Sequence, residues 1–173
     1  GVFRCRLRGR LTDNRGEGRY GIVISVVIPV IDEAERLPGL LQRLAGEAPV
    51  HEVIVVDGGS LDDSAAIAAR FGARVLKSAP GRGIQLRAGG EAVSGDIILF
   101  LHADSGFPAG GLARLEAVLS TDSDLVGGNF RVIFDGDDGF SRWLTGFYAW
   151  FCRRGLYYGD SAIFVRTDAY RGL

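Results

Sequence analysis

Val53-Ile-Val-Val-Asp57-Gly-Gly-Ser60 and Ile97-Ile-Leu-Phe-Leu-His102-Ala-Asp104 decide how this chain folds. Each is an apolar run that stops at a carboxylate. A run apolar at every position is buried on both faces, as strands of a parallel sheet are, and open α/β sheets bind ligands beyond the C-terminal ends of such strands. Two acidic strand ends therefore point to one site. The His102-x-Asp104 spacing adds a pair suited to hold a divalent cation against a diphosphate.

Outward from these strings, Ile22 to Val30 reads as a first buried strand. Asp32 to Leu44 follows as a helix with Leu37, Leu40, Leu41 and Leu44 at helical spacing and Asp32 as its cap. Val53 to Val56 is the second strand. Leu61 to Phe71 is an Ala-rich helix with Asp62 and Asp63 in its first turn, and Ala73 to Lys77 is a third strand. Pro80-Gly-Arg-Gly83 breaks the chain before a helix that reaches Val93, and Ser94-Gly-Asp96 turns it into a fourth strand, Ile97 to Leu101. Pro108 opens a helix to about Leu119. This alternation predicts one α/β, Rossmann-like, mostly parallel sheet with helices on both faces. After Ser123 the pattern changes to a strand at Leu125 to Phe134, an aromatic helix at Phe140 to Arg153 and a last strand at Ala162 to Arg166, a mixed layer added to the first half.

The 173 residues, 47% of them hydrophobic, suffice for one globular domain. A formal charge of −1 gives no global electrostatic argument for nucleic acid as a partner. The charge is uneven, because Arg4, Arg6, Arg8, Arg10, Arg15 and Arg19 face only Asp13 and Glu17 in the first 19 residues. With no sustained apolar period and no secretory h-region, residues 1–20 read as an untethered, solvated basic extension ahead of a domain at 21–173. Cys5 and Cys152 match no metal or redox spacing, which fits a reducing compartment and a cytoplasmic location. No apolar run approaches the ~18 residues of a membrane span. Core packing is the favoured reading of the aromatic cluster Trp143 to Phe151; peripheral lipid contact, an apolar acceptor and a homodimer face are the others.

Four places carry the candidate chemistry. Asp57, in its Gly-rich turn, is placed to accept hydrogen bonds from a base or sugar, or alternatively to cap the next helix beside Ser60. Asp104 is a hard oxygen ligand for Mg²⁺ or Mn²⁺, with His102 as a second ligand or an orienting donor. Arg82, flanked by glycines, suits a nucleotide phosphate, or is a solvated loop arginine. Asp160, after Tyr157-Tyr-Gly159, suits an acceptor site or is a turn carboxylate.

These residues resemble the family 2 glycosyltransferases of the GT-A fold over Ser25 to Leu173. The resemblance rests on Val27-Ile-Pro29-Val-Ile-Asp-Glu33, Val55-Val-Asp57-Gly-Gly-Ser60-Leu-Asp62, Gly89-Gly-Glu-Ala-Val-Ser-Gly95-Asp96 and the His102-Ala-Asp104 strand end. Within that family the chain is most similar to bacterial transferases associated with arsenosugar or selenium biosynthesis, through Gly81-Arg82 with Gln85, Leu101-His-Ala-Asp104, and Gly159-Asp160 with Ala162-Ile-Phe-Val-Arg166.

The resemblance implies that Pro29, Ile31 and Glu33 border the nucleoside, Asp57 contacts the base, Arg82 reaches the nucleotide and Asp104 holds the metal on the diphosphate. It implies inverting transfer from a UDP- or GDP-linked sugar to an unknown acceptor, with a carboxylate base. Three positions depart from the family pattern. Ile31 stands where an aromatic residue is frequent, Asp57-Gly58 where two acids are frequent, and His102 where the metal motif usually begins with an acid. The usual base is expected beyond Leu173, which leaves Asp160 as a substitute and a truncated chain that binds donor without turnover. A nucleotidyltransferase would show a Gly-rich, basic phosphate loop after the first strand, which Pro29-Val-Ile-Asp-Glu33 lacks. A non-catalytic nucleotide-sugar binding module is the alternative from a different class.

Overall fold

A computed structural model describes residues 2–5, 21–48, 50–130, 138–153 and 162–173. In chain order its elements are β1 (Val2–Cys5), β2 (Ile24–Val30), α1 (Leu37–Ala45), β3 (Val50–Asp57), α2 (Ser64–Arg70), β4 (Arg74–Lys77), α3 (Arg82–Ala92), β5 (Ile97–Phe100), α4 (Gly111–Thr121), β6 (Gly127–Phe130), α5 (Gly139–Arg153), β7 (Ile163–Arg166) and α6 (Thr167–Arg171). The strands make one sheet in the order β1-β6-β7-β5-β2-β3-β4.

The four strands from β5 to β4 are parallel, with Val27 beside both Ile54 and Phe100, and Asp57 beside Val30 and Lys77. The strands β7, β6 and β1 continue the sheet antiparallel. Every residue of β2 is buried, as the center of a doubly covered sheet requires. Alternate side chains serve opposite faces. Ile24, Val26, Ile28 and Val30 join Leu37, Leu40, Leu41, Leu44, Leu112, Leu115 and Leu119 on one face, while Val27 joins Ile54, Val56, Ile98 and Val93 on the other. Helices α1, α2 and α4 therefore cover the first face, and α3 and α6 the second. The chain changes face between β4 and β5, so β2 and β5 flank a topological switch point, the place where such sheets open a ligand crevice.

Four expectations are corrected. Residues Val2–Cys5 are not part of an untethered tail, because they pair antiparallel with β6, Val2 beside Phe130 and Cys5 beside Gly127. Asp32 does not cap α1, which begins at Leu37 with Pro38 in its first turn; Asp32 stands ahead of it with φ 54, in left-handed backbone. Asp62 and Asp63 precede α2 rather than forming its first turn. The aromatic cluster of α5 is not core: Phe140, Trp143, Phe147 and Trp150 are 67%, 58%, 40% and 47% exposed. The other predicted boundaries lie within a few residues of those observed, and the far part of the Leu125 to Phe134 strand lies outside the described residues.

The glycines quoted from Gly89 to Gly95 are packing residues. A Cβ on Gly89 would lie 2.3 Å from Val27 Cγ1 and 3.0 Å from Val56 Cγ2. On Gly90 it would meet the Tyr170 ring at 2.6 Å, and on Gly95 the Ser25 Oγ at 2.6 Å. Asp96, which ends the motif, accepts the Val23 N–H at 3.0 Å. Helix α3 thus lies on β2 and β3 at a distance that only a bare backbone allows. Replacement Gly89→Ala is expected to cost about 1–3 kcal/mol, as overpacking of a close-packed interior does, and urea denaturation measures it.

Candidate functional site

The loop after β2 and the loop after β3 are laced together at the C-terminal edge of the sheet. Asp32 Oδ1 accepts the Leu61 N–H at 2.7 Å and the Asp62 N–H at 3.3 Å, while the Asp32 N–H donates to Ser60 Oγ at 3.1 Å. The Glu33 N–H donates to Ser64 Oγ at 2.8 Å and the Ala34 N–H to Asp62 Oδ2 at 2.9 Å. Ser64 in turn donates its own N–H and hydroxyl to Asp62 Oδ1 at 2.9 and 2.5 Å. The Ser64 hydroxyl first, then the Ala34 and Ser64 amides, hold the Asp62 carboxyl below the ordinary carboxylate range.

Asp57 lies at the center of this edge, 6% exposed. Its Oδ1 accepts the Gly59 N–H at 3.3 Å and the Ser60 N–H and hydroxyl at 2.8 and 2.6 Å. All of these fall on one oxygen. They fold the turn back on the strand end, with Gly59 at φ +100 where a side chain would be strained. Asp57 does not cap the next helix, because α2 begins at Ser64 with Asp63 ahead of it; its Oδ1 closes the Gly59–Ser60 turn, and Oδ2 takes no part in that turn.

The remaining candidates fall around this turn. Ile31 is 42% exposed, and a Cβ built on Gly58 would lie 2.9 Å from Ile31 Cδ1 and 2.9 Å from Gln85 Cδ. Pro29 is buried within β2 beside Val56. The Glu33 carboxylate turns to Arg36 at 3.3 Å. Arg82 opens α3 and its guanidinium meets His102 Nε2. Asp104 is exposed in the turn that the Ser105 N–H closes on the His102 carbonyl at 3.0 Å. The structure therefore joins Arg82 to His102, and Asp57 to the Ile31 wall, along neighbouring strand ends. Asp160 lies outside the described residues.

The donor chemistry suits an open metal site. Among the described residues no group of three or more His, Cys, Asp or Glu side chains is placed to hold an ion. Asp104 and His102 offer a carboxylate and an imidazole, so phosphate oxygens and water would complete a hard cation's shell, as Mg²⁺ sites on nucleotides require.

Sequence reasoning gave no role to Gln85. It is 3% exposed, and its Nε2 donates to the Val30 and Val56 carbonyls, each at 2.9 Å. The signal lay in α3, whose buried residues are Gln85, Gly89 and Gly90 in place of an apolar stripe.

An open α/β sheet with acidic and basic side chains gathered at its switch-point edge defines a nucleotide-binding class of domain. The model of glycosyl transferase family 2 matches residues 25–173, and the chain belongs to that family. Among curated proteins, an uncharacterized glycosyltransferase of Mycobacterium tuberculosis is 37% identical over 114 residues, covering 65% of this chain and 51% of that protein. An undecaprenyl-phosphate 4-deoxy-4-formamido-L-arabinose transferase of Sodalis glossinidius is 34% identical over 116 residues, 60% of this chain and 36% of that protein. The chain thus spans about half the length, or less, of these relatives. Among solved structures, the UDP complex of glucosyl-3-phosphoglycerate synthase from Mycobacterium tuberculosis aligns with a TM-score of 0.65 at 25% identity, over 86% of this chain and 58% of that one.

The lacing makes a definite demand on Asp32. Asp32→Ala is expected to destabilise the fold by about 1–2 kcal/mol, through two amides losing their acceptor and a side chain less tolerant of positive φ. Asp32→Asn, which keeps the acceptor and tolerates that backbone, is expected to recover most of the loss in the same urea titration.

Proposed function

We propose that this chain carries the donor site of a transferase that moves a sugar from a UDP- or GDP-linked donor to an acceptor, with inversion and with a divalent metal. The observation that carries the reading is the Arg82–His102 contact at the C-terminal edge of the sheet, where β3 ends at Asp57 and Asp104 follows β5. Asp57 and Ile31 border the nucleoside, joined by Glu33 through the loop after β2 and by Pro29 near the end of that strand. Arg82, at the start of α3, meets the diphosphate. Asp104, with His102, would hold Mg²⁺ or Mn²⁺, whose charge would stabilise the nucleoside diphosphate as a leaving group. A carboxylate takes the proton of the acceptor hydroxyl, and Asp160 is the residue assigned to that step. The UDP complex of the aligned synthase supports the uridine choice. The kinship with arsenosugar- or selenium-associated transferases rests on the Gly81-Arg82, Gln85 and Leu101-His-Ala-Asp104 motifs.

Isothermal titration with UDP and GDP, with and without Mn²⁺, tests the reading. Metal is expected to tighten binding of the preferred diphosphate by at least about tenfold, equivalent to ~1.4 kcal/mol, and Asp104→Ala to abolish that gain. Binding of neither nucleotide would remove the donor site, and binding without turnover on any acceptor would leave a binding module.

On the acceptor side, α5 presents a ladder of stacked rings. Phe140, Trp143, Phe147 and Trp150 follow one another at centroid distances of 6.0, 5.3 and 6.1 Å. The helix has arginines at 142 and 153 and no acidic residue, the composition of a helix that lies on an anionic lipid surface. No described helix is long and apolar enough to cross a membrane. This reading agrees with the lipid phosphate named for the Sodalis relative. Co-sedimentation with vesicles containing anionic lipid is expected for the wild type and lost in the Phe140→Ser, Trp143→Ser double variant. Sedimentation of the free protein as a dimer that the same variant dissolves would assign the ladder to a second copy instead.

A further inference from the structure

We propose that Gln85 reads the nucleobase, accepting a base N–H through its Oε1; the inference rests on the donor-site reading above. The orientation of its carboxamide is fixed by its partners. Both Val30 O and Val56 O are acceptors, so the group facing them at 2.9 Å has to be the NH₂. With both hydrogens committed, the planar carboxamide turns Oε1 away from the two strand-end carbonyls.

That oxygen accepts no hydrogen bond from the described residues, yet it is not among their buried unpartnered atoms. It is therefore a fixed acceptor reaching the surface from a side chain that is 3% exposed. Its surroundings are those of the nucleoside wall. A Cβ on Gly58 would collide with Gln85 Cδ and with Ile31, so the carboxamide and Ile31 pack against the same bare backbone next to Asp57. Gly58 stands where a second acid is frequent, and the space that acid would need is taken by Gln85.

Asp57 spends only Oδ1 on its own turn. Its Oδ2 and Gln85 Oε1 make a wall of acceptors, and such a wall favours a base with a ring N–H. Uracil and guanine have one, whereas cytosine and adenine present a ring nitrogen lone pair at the corresponding place and are repelled. An acceptor held rigidly by two hydrogen bonds discriminates more sharply than a mobile one, because it does not turn to offer its NH₂ to the wrong base.

Titrations of UDP, GDP, CDP, ADP and inorganic pyrophosphate, each with Mn²⁺, test this in the wild-type chain and in Gln85→Met, which keeps the side-chain length and removes the acceptor. The wild type is expected to prefer UDP or GDP over CDP and ADP. In Gln85→Met that preference is expected to fall by about tenfold, while pyrophosphate, which has no base, binds within about twofold of wild type. An unchanged preference would overturn the inference and leave the donor site standing. Failure of the wild type to bind any nucleotide would overturn the donor site and the inference together. Loss of pyrophosphate binding in Gln85→Met would mark a damaged fold, and Gly58→Ala then gives the answer: its Cβ displaces the carboxamide, and an unchanged preference there refutes the role of Gln85.

Discussion

The ligand edge depends on how closely α3 lies on β2. Gly89 has no side chain because Val27 and Val56 occupy the space a Cβ would need, and the closeness carries along the helix. Gln85, about one turn earlier, is brought within hydrogen-bond reach of the Val30 and Val56 carbonyls at the ends of two parallel strands. Arg82, a further turn earlier, arrives beside His102 beyond the end of the third. A helix held out by one methyl group would shift both groups by a distance comparable to a hydrogen bond's tolerance. Packing on the sheet and polar geometry at its edge are therefore one constraint.

The second requirement is to give every backbone group of two crossing loops a partner. Parallel strands end in loops that cannot pair with each other as strands do, and an orphaned N–H costs about as much as a lost hydrogen bond. Here short polar side chains take the part of the ladder. Asp32 and Asp62 each reach across to the opposite loop, and Ser60 and Ser64 reach back. The lacing fixes Ile31 and Asp57 on adjacent walls, so a ligand would meet a preformed surface.

The parallel half was legible because its signals are local and redundant. Fully apolar runs bounded by Gly, Pro and Asp leave few alternatives. The start of α1 was not legible, because Asp32-Glu-Ala-Glu35 reads as a capped helix start until the Leu61 and Asp62 amides claim the Asp32 carboxylate from another loop. The edge strand β1 had only a weak signal, Phe3 and Cys5 flanking Arg4 at a strand's period of two, inside an arginine-rich stretch. For α5 the ring spacing gives a single stripe, and a stripe reads the same whether it faces a core or the outside. At the site, the strand-end carboxylates could be found from sequence, but the meeting of Gly58 with Gln85 depends on a helix crossing from the far side of the sheet.

The directions of the strands bring part of the antiparallel half to the same edge. Strand β7 runs against β5, and β6 runs against β7, so β6 points the same way as β5. Asn129 pairs with Ile163 and Ile163 with Phe100, which sets the end of β6 level with the end of β5. Strand β6 thus ends at the edge where His102 and Asp104 follow β5. Phe140, Trp143, Phe147 and Trp150 belong to neither buried cluster and are 40% or more exposed. A helix with an exposed stripe of rings and no acidic residue is suited to meet an apolar partner.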